Sequence, residues 1–443
     1  MKIKSMLAAA TAAMIMASCS SDETIDQNNN KVQKGEDTYA SFALKFKSGT
    51  RADILNGTDD ESSVTSMNVY VFSNGVLEAT ASPAVSSNQT VPVKVTTGEK
   101  IIYAVTGSMP NLTNLSGSKI EMAQNATLLA DFEKALYASL PADIAVAKHF
   151  TMIGNTRSIL VKQSEEEAKA NPIAITLDRA AAKAQVHFNN PNILPTLNAD
   201  FGSAKFAVAQ IARQMYVTLD SRFTPLGTSA ANGSTYPGLT PVNDLTYVDA
   251  YSTADYDGTA AVNAPCAYMA ECAVAEPTTG NTTISIIQTK VTPKSTVGGA
   301  LDSDGTFYVL ARNDEKTATW VFASDESYNL LYFNSEAAAN SYKSENDLSA
   351  EYLPYKYDKG LCYYRVHFID ENYADSSDLS KKYRVLRNYF YRVNVTDIRA
   401  LGAPTAPGTV PTDPDTPIEQ DNWLACTITV SPWTVNSQST ILR

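Results

Sequence analysis

Cys19 is the residue in this chain whose setting points most directly to chemistry. It follows Met16-Ala17-Ser18, and a cysteine directly after small residues is the bacterial lipobox pattern, in which the thiol is diacylated and the cysteine becomes the new N-terminus. Met16 stands where leucine is commonest, a mild departure. Upstream, Lys2 and Lys4 precede an apolar run from Met6 to Ala17, so residues 1–19 read as an export signal. The run is too short for a membrane-spanning helix, which needs about 20 apolar residues. Ordinary secretion with an incidental cysteine is the alternative. A second reactive position is Gly49-Thr50-Arg51-Ala52, a polar, turn-like segment of the kind proteases cut when exposed.

Other residue types that do chemistry are too sparse or too scattered for a site. The three histidines, His149, His187 and His367, lie far apart, and no HExxH, P-loop or G-x-S-x-G occurs. Asp302-Ser303-Asp304-Gly305 begins like a calcium loop but lacks the later oxygen ligands, so it reads as a turn between strands. Cys266, Cys272, Cys362 and Cys426 lack the spacing of a zinc site. Cys266 and Cys272 could pair in an oxidising compartment or stay as buried thiols. The sequence thus gives no catalytic constellation, no metal site and no cofactor, and the expectation is a protein that is not an enzyme.

The elements around these positions are mainly β. The chain has 443 residues, 44% hydrophobic and 19% charged, enough for two or three folded domains. Its 23 Tyr and many Thr and Val favour strands. The formal charge of −12 argues against nucleic acid, which calls for a surplus of Lys and Arg. After a polar tether, Ala40, Phe42, Leu44 and Phe46 alternate along 39–46, the pattern of a strand buried on one face. Strands follow at 67–72, 91–95, 100–106, 159–161, 173–177 and 180–188. Met122, Ala126, Leu129, Phe132 and Leu136 recur at three- and four-residue spacing and predict one helix. Asn189-Asn190-Pro191-Asn192 reads as a domain boundary.

The second region opens on a strand at 205–219, continues through polar, loop-rich sequence, and returns to strands at 307–311, 318–322, 362–368 and 388–395. Five prolines between Ala403 and Asp421 make a semi-stiff linker. Beyond it Leu424, Cys426, Ile428 and Val430 alternate with the period and length of the 39–46 stripe. Pro432 has no N–H to give, and Trp433 and Val435 resume in shifted phase.

In this order, the features resemble the major fimbrial subunit (fimbrillin, type V pilin) family of Bacteroidales. Ser66–Phe72 looks like its first strand after the prosegment, and Asp178-Arg179-Ala180-Ala181-Ala182-Lys183 is similar to its Arg-x-x-Ala-Lys/Arg strand. Leu386-Arg387-Asn388-Tyr389-Phe390-Tyr391 resembles its Arg-Asn-x-x-Tyr strand, and Val430-Ser431-Pro432-Trp433 its terminal x-Pro-Trp signature. Asp22 and Glu23 resemble the surface-export signal of Bacteroidetes lipoproteins.

The resemblance implies two transthyretin-like β-sandwich domains in tandem. The division is a lipoprotein signal at 1–19, tether and prosegment strand at 20–51, N-terminal domain at 52–189 and C-terminal domain at 190–402. A linker at 403–421 and a donor strand at 422–443 complete it. It further implies an outer-membrane precursor lipidated (palmitate) at Cys19, cut after Arg51 by an Arg-specific protease, and assembled by donor-strand exchange into a surface fimbrium. Partners would be further copies of the chain, anchor and tip subunits, and a host or bacterial surface ligand. A monomeric surface adhesin or tip module is the alternative. Replacing Cys19 with Ser should abolish incorporation of labelled lipid in a bacterial host; labelling that persists in C19S would refute the lipobox assignment.

Overall fold

The computed structural model describes residues 35–46, 58–107, 112–114, 116–138, 141–218, 245–252, 264–272, 274, 276–314, 319–406, 418, 427–432 and 440–442. Cys19, Arg51, Ala52, Leu424, Cys426, Trp433 and Val435 lie outside these residues, as do the tether and most of the linker.

The fold is mainly β. One sheet of eight strands runs, in spatial order, Val76–Ala81, Met67–Ser73, Gly98–Thr106, Met152–Leu160, Ile173–Arg179, Phe42–Phe46, Gln89–Thr90, Val85–Ser86. Met67–Ser73 begins with strict alternation of buried and half-buried residues, as a strand with one face on a core requires. A second sheet runs Ala267–Ala270, Ala181–Ile193, Tyr389–Ile398, Thr427–Pro432. Its Ala181–Ile193 and Tyr389–Ile398 strands are parallel, and Ala181 to Phe188 are buried on both faces, as parallel strands tend to be. A third sheet orders Val248–Asp249, Ala199–Ala209, Ile284–Pro293, Leu361–His367.

Two sequence expectations change. Asn189-Asn190-Pro191-Asn192 is not a break between domains but lies inside the strand Ala181–Ile193, where the register shifts between Phe188 and Asn192. A bulge accommodates Pro191, which has no ladder donor, and Asn190 at φ 45°. The chain passes from the first sheet to the second at Ala180, between Ile173–Arg179 and Ala181–Ile193.

The helix expected across 122–136 shrinks to Leu129–Glu133. Asn125 takes a left-handed φ of 60°, and the Thr127 hydroxyl accepts from Ala123 N and donates to Glu121 O, bonds that compete with helical ones. Leu77 N donates to Thr127 O, pinning this turn to a neighbouring strand. Leu136 itself starts the strand Leu136–Ala138, which pairs with Gln214–Tyr216. The first region holds further short helices, Asp59–Ser62, Pro141–Ile144 and Glu165–Ala170, the last closed by a capping box between Ser164 and Glu167. The ten-residue Glu336–Glu345 helix, capped by the Ser335 hydroxyl, was not legible as a helix in the sequence.

Phe132 is fully buried against the rings of Tyr70, Phe72 and Tyr103, at centroid distances of 5.2, 5.3 and 5.0 Å. Phe132→Ala should cost about 3–5 kcal/mol, read as a lower urea midpoint, whereas half-buried Met122→Ala should cost under about 1 kcal/mol. Equal losses would restore the long-helix reading.

Candidate functional site

The alternating stripe at 39–46 folds as two short strands in two sheets, not one. Asp37–Ala40 runs antiparallel to Val93–Thr96, and Phe42–Phe46 runs parallel to Ile173–Arg179, with Phe42 opposite Ile173 and Phe46 opposite Leu177. Ser41 is the crossing point. Its hydroxyl donates to Thr90 O at 2.8 Å, its carbonyl accepts from Ile173 N at 2.8 Å, and the Thr90 hydroxyl accepts from Phe42 N at 3.0 Å. Alternation survives the crossing, because Thr38, Ala40, Phe42 and Leu44 are all buried. Burial of side chains such as Phe42 and Leu44 is worth about 1.5–3 kcal/mol each.

The seat of Phe42–Phe46 is unusual. Its other neighbour is a short hairpin, with Ala43 opposite Gln89 and Leu44 N donating to Asn88 O. The far side of Ile173–Arg179 pairs with Met152–Leu160 only at its end, Arg179 opposite Met152 and Asp178 opposite Ile153. Ile173 to Leu177 therefore take their sheet ladder from Phe42–Phe46. Without that strand, five residues would present bare backbone beside a vacated apolar slot.

The expected terminal strand also pairs. Thr427–Pro432 lies antiparallel on Tyr389–Ile398, from Asn394 opposite Thr427 to Tyr389 opposite Pro432. Pro432, which has no N–H to give, is the last described residue of this strand. Thr440–Leu442 adds a parallel piece further along the same strand. Within one chain, then, the two stripes occupy different sheets, and the second lies on its own chain's Tyr389–Ile398.

Between these seats lies a buried polar cluster that pattern reading missed. Glu61, in the short Asp59–Ser62 helix, accepts at Oε1 from Lys183 Nζ at 2.7 Å and from the Tyr268 hydroxyl at 2.6 Å, and at Oε2 from Thr58 N at 2.7 Å. Its carbonyl accepts from Arg179 Nε at 3.0 Å, and Arg179 Nη2 donates to the Ser62 hydroxyl. Arg179 N donates to Asn388 Oδ1, while Asn388 Nδ2 donates to Asp178 and Asn388 N to Ala181 O. Arg387 makes a two-pronged contact with Glu271 and donates to the carbonyls of Tyr216 and Val217. Lys183 stands inside the largely apolar first half of the strand Ala181–Ile193, and that intrusion was the available signal, whereas Arg387 lies in the turn before Tyr389–Ile398.

Burial alone would raise the Glu61 carboxyl, but Lys183, Tyr268 and Thr58 more than offset it, and the group lies below the ordinary glutamate range. Burial pushes Arg179 down and the Tyr268 phenol up. His187 and His367 are buried, and His149 is exposed. Burial, aided by Arg365, pushes His367 down to about 3, and His187 Nδ1 meets Asn394 Oδ1 at 2.7 Å. Cys266, Cys272 and Cys362 are free thiols, and Gly305 N closes a turn on Asp302 O at φ 83°. Among the described residues no group of His, Cys, Asp and Glu is arranged to hold a metal.

Residues 355–439 match the family described as "Major fimbrial subunit protein type IV, Fimbrillin, C-terminal". The chain is 24% identical to the minor fimbrium subunit Mfa1 of Porphyromonas gingivalis over 90% of this chain and 92% of that one. Among solved structures, a fimbrilin (fimA) from P. gingivalis W83 aligns at 14% identity and TM-score 0.44, over 92% of this chain and all of that one. The C-terminally truncated tip fimbrial protein Mfa3 of P. gingivalis aligns at 14% identity and TM-score 0.37, over 81% and 94%.

Because the Glu61 carboxyl is depressed in the fold, its contribution is fully present above the unfolded value of about 4.3 and fades as pH falls through its own lower value. Glu61→Gln should cost about 3–5 kcal/mol at pH 7 by breaking a buried pair. Its urea midpoint should also fall less steeply than wild type from about pH 5 to 3. An unchanged acid limb would remove Glu61 from the cluster's energetics.

Proposed function

The chain belongs to the fimbrillin family of Bacteroidales, and from that premise we propose that it is a stalk subunit polymerised by exchange of its N-terminal strand. The family and the fold point to a structural, non-enzymatic protein associating with other fimbrial subunits at the cell surface. Beyond that, the reading runs in steps. The precursor is exported, acylated at Cys19 and held at the outer membrane. An Arg-specific protease cuts between Arg51 and Ala52, and the anchor leaves together with Ala40, Phe42, Leu44 and Phe46. The terminal strand of another copy, with Leu424, Cys426, Ile428, Val430, Trp433 and Val435, takes the vacated place. Tandem transthyretin-like sandwiches divided near Ala180 are part of the same reading.

One observation carries it. Phe42–Phe46 lies upstream of Arg51 and supplies the ladder for Ile173–Leu177, so its loss creates a vacancy of strand length with apolar walls. Burial of three or four alternating side chains is worth roughly 5–12 kcal/mol, against about 1–2 kcal/mol per residue for ordering the incoming strand. The balance favours exchange because the vacated slot is otherwise open to water. The seating of Thr427–Pro432 on Tyr389–Ile398 of the same chain favours a second reading, a monomeric adhesin or tip module whose last strand stays at home.

The two readings separate on one experiment. Protein cut after Arg51, verified by N-terminal sequencing, should form filaments in electron micrographs. Arg51→Gln should resist the protease and stay monomeric, and cut protein lacking residues 422–443 should stay folded but fail to extend a chain. Cut, full-length protein that remains monomeric at high concentration would establish the second reading.

A further inference from the structure

Opening a sheet by withdrawing one strand raises the question of where the opening stops. We propose that the buried cluster of Glu61, Lys183, Tyr268 and Arg179 is the stop: it fixes the residues just after the cut and the end of the exposed strand, so that only Ile173–Leu177 is laid bare. The inference rests on the processing reading above and adds the residues that limit it.

The geometry supports this at both boundaries. On the processing reading the cut falls between residues 51 and 52, and the first described element beyond that point is the turn Thr58–Ser62. That turn is held by Lys183 and Tyr268 on two strands of the second sheet and by Arg179 at the end of Ile173–Arg179. In the uncut chain the turn is also joined through residues 47–57 to the seated Phe42–Phe46 strand. After the cut that second attachment is gone, and the turn is retained by the cluster, by Lys148 N donating to Asp60 O at 2.7 Å and by the following strand Met67–Ser73. On the other side, Ile173 to Leu177 pair with the departing strand, while Asp178 and Arg179 pair with Ile153 and Met152 and are bonded to Asn388. The loss of ladder thus meets two fixed residues directly after Leu177.

An anchored turn and a part that merely stabilises the fold differ in one respect. The anchor matters more after the cut than before it. The test places the recognition sequence of a site-specific endoprotease after Arg51, so the cut is made whether or not natural processing uses this position. Amide hydrogen exchange is then followed in peptides spanning 58–73 and 173–179, before and after cutting. In wild type, 173–177 should lose protection on cutting while 58–66 and 178–179 keep theirs. In Lys183→Met, protection of 58–66 should fall less than about threefold before the cut and about tenfold or more after it. Tyr268→Phe, which removes one bond and keeps the ring, should show the same asymmetry at smaller size and serves if Lys183→Met does not fold. Loss of protection at 58–66 in cut wild type, or an equal effect of the variants before and after cutting, would overturn the proposal. Filament formation by native-sequence protein reports the processing reading separately.

Discussion

The arrangement depends on a strand that is paired along most of its length from one side only. Ile173–Leu177 meets Phe42–Phe46 residue for residue, and its ladder on the opposite side begins only at Asp178. Backbone amides and carbonyls buried without partners cost free energy comparable to lost hydrogen bonds, so this strand cannot do without a neighbour. Any event that withdraws Phe42–Phe46 creates a demand that another strand of similar alternation can meet.

Beside this seat the protein is tightly fixed. Asp178 and Arg179 join the end of Ile173–Arg179 to Asn388 at the mouth of Tyr389–Ile398, and through Arg179 to Glu61 and Ser62. Arg387 binds the carbonyls of Tyr216 and Val217, and Gln214–Tyr216 pairs with Leu136–Ala138 of the first region. Buried charges demand their partners, since a lone one is far more costly than a lost apolar contact. The polar joint thus specifies how the two regions meet, while apolar burial supplies the bulk of the stabilisation.

The end of the chain shows how competition between seats is written into a β protein. Thr427–Pro432 has a place on Tyr389–Ile398 in its own chain, and the residues that would leave with Phe42–Phe46 have theirs in another sheet. On the proposed reading, exchange between copies would have to displace the first pairing as well as fill the second. Edge pairing makes such substitution possible, because main-chain bonds are indifferent to which strand supplies them and alternate side chains select among candidates.

Alternation let the sequence alone determine where strands of mainly β character lie: Phe42, Leu44, Val69, Val71, Ile102 and Ile175 all fall on buried faces. The same local logic failed at Met122 to Leu136, where helical spacing was overridden by the Thr127 turn and by pairing of Leu136 with Tyr216. It failed again at Asn189 to Asn192, where break-forming residues sit in a bulge. Tertiary structure alone decided that the 39–46 stripe splits at Ser41 between two sheets, that Ile173–Leu177 relies on it, and that Glu61 meets Lys183. Those facts join residues separated by about 50 to about 130 positions, and side-chain periodicity carries no information about which distant strand or charge will be the neighbour.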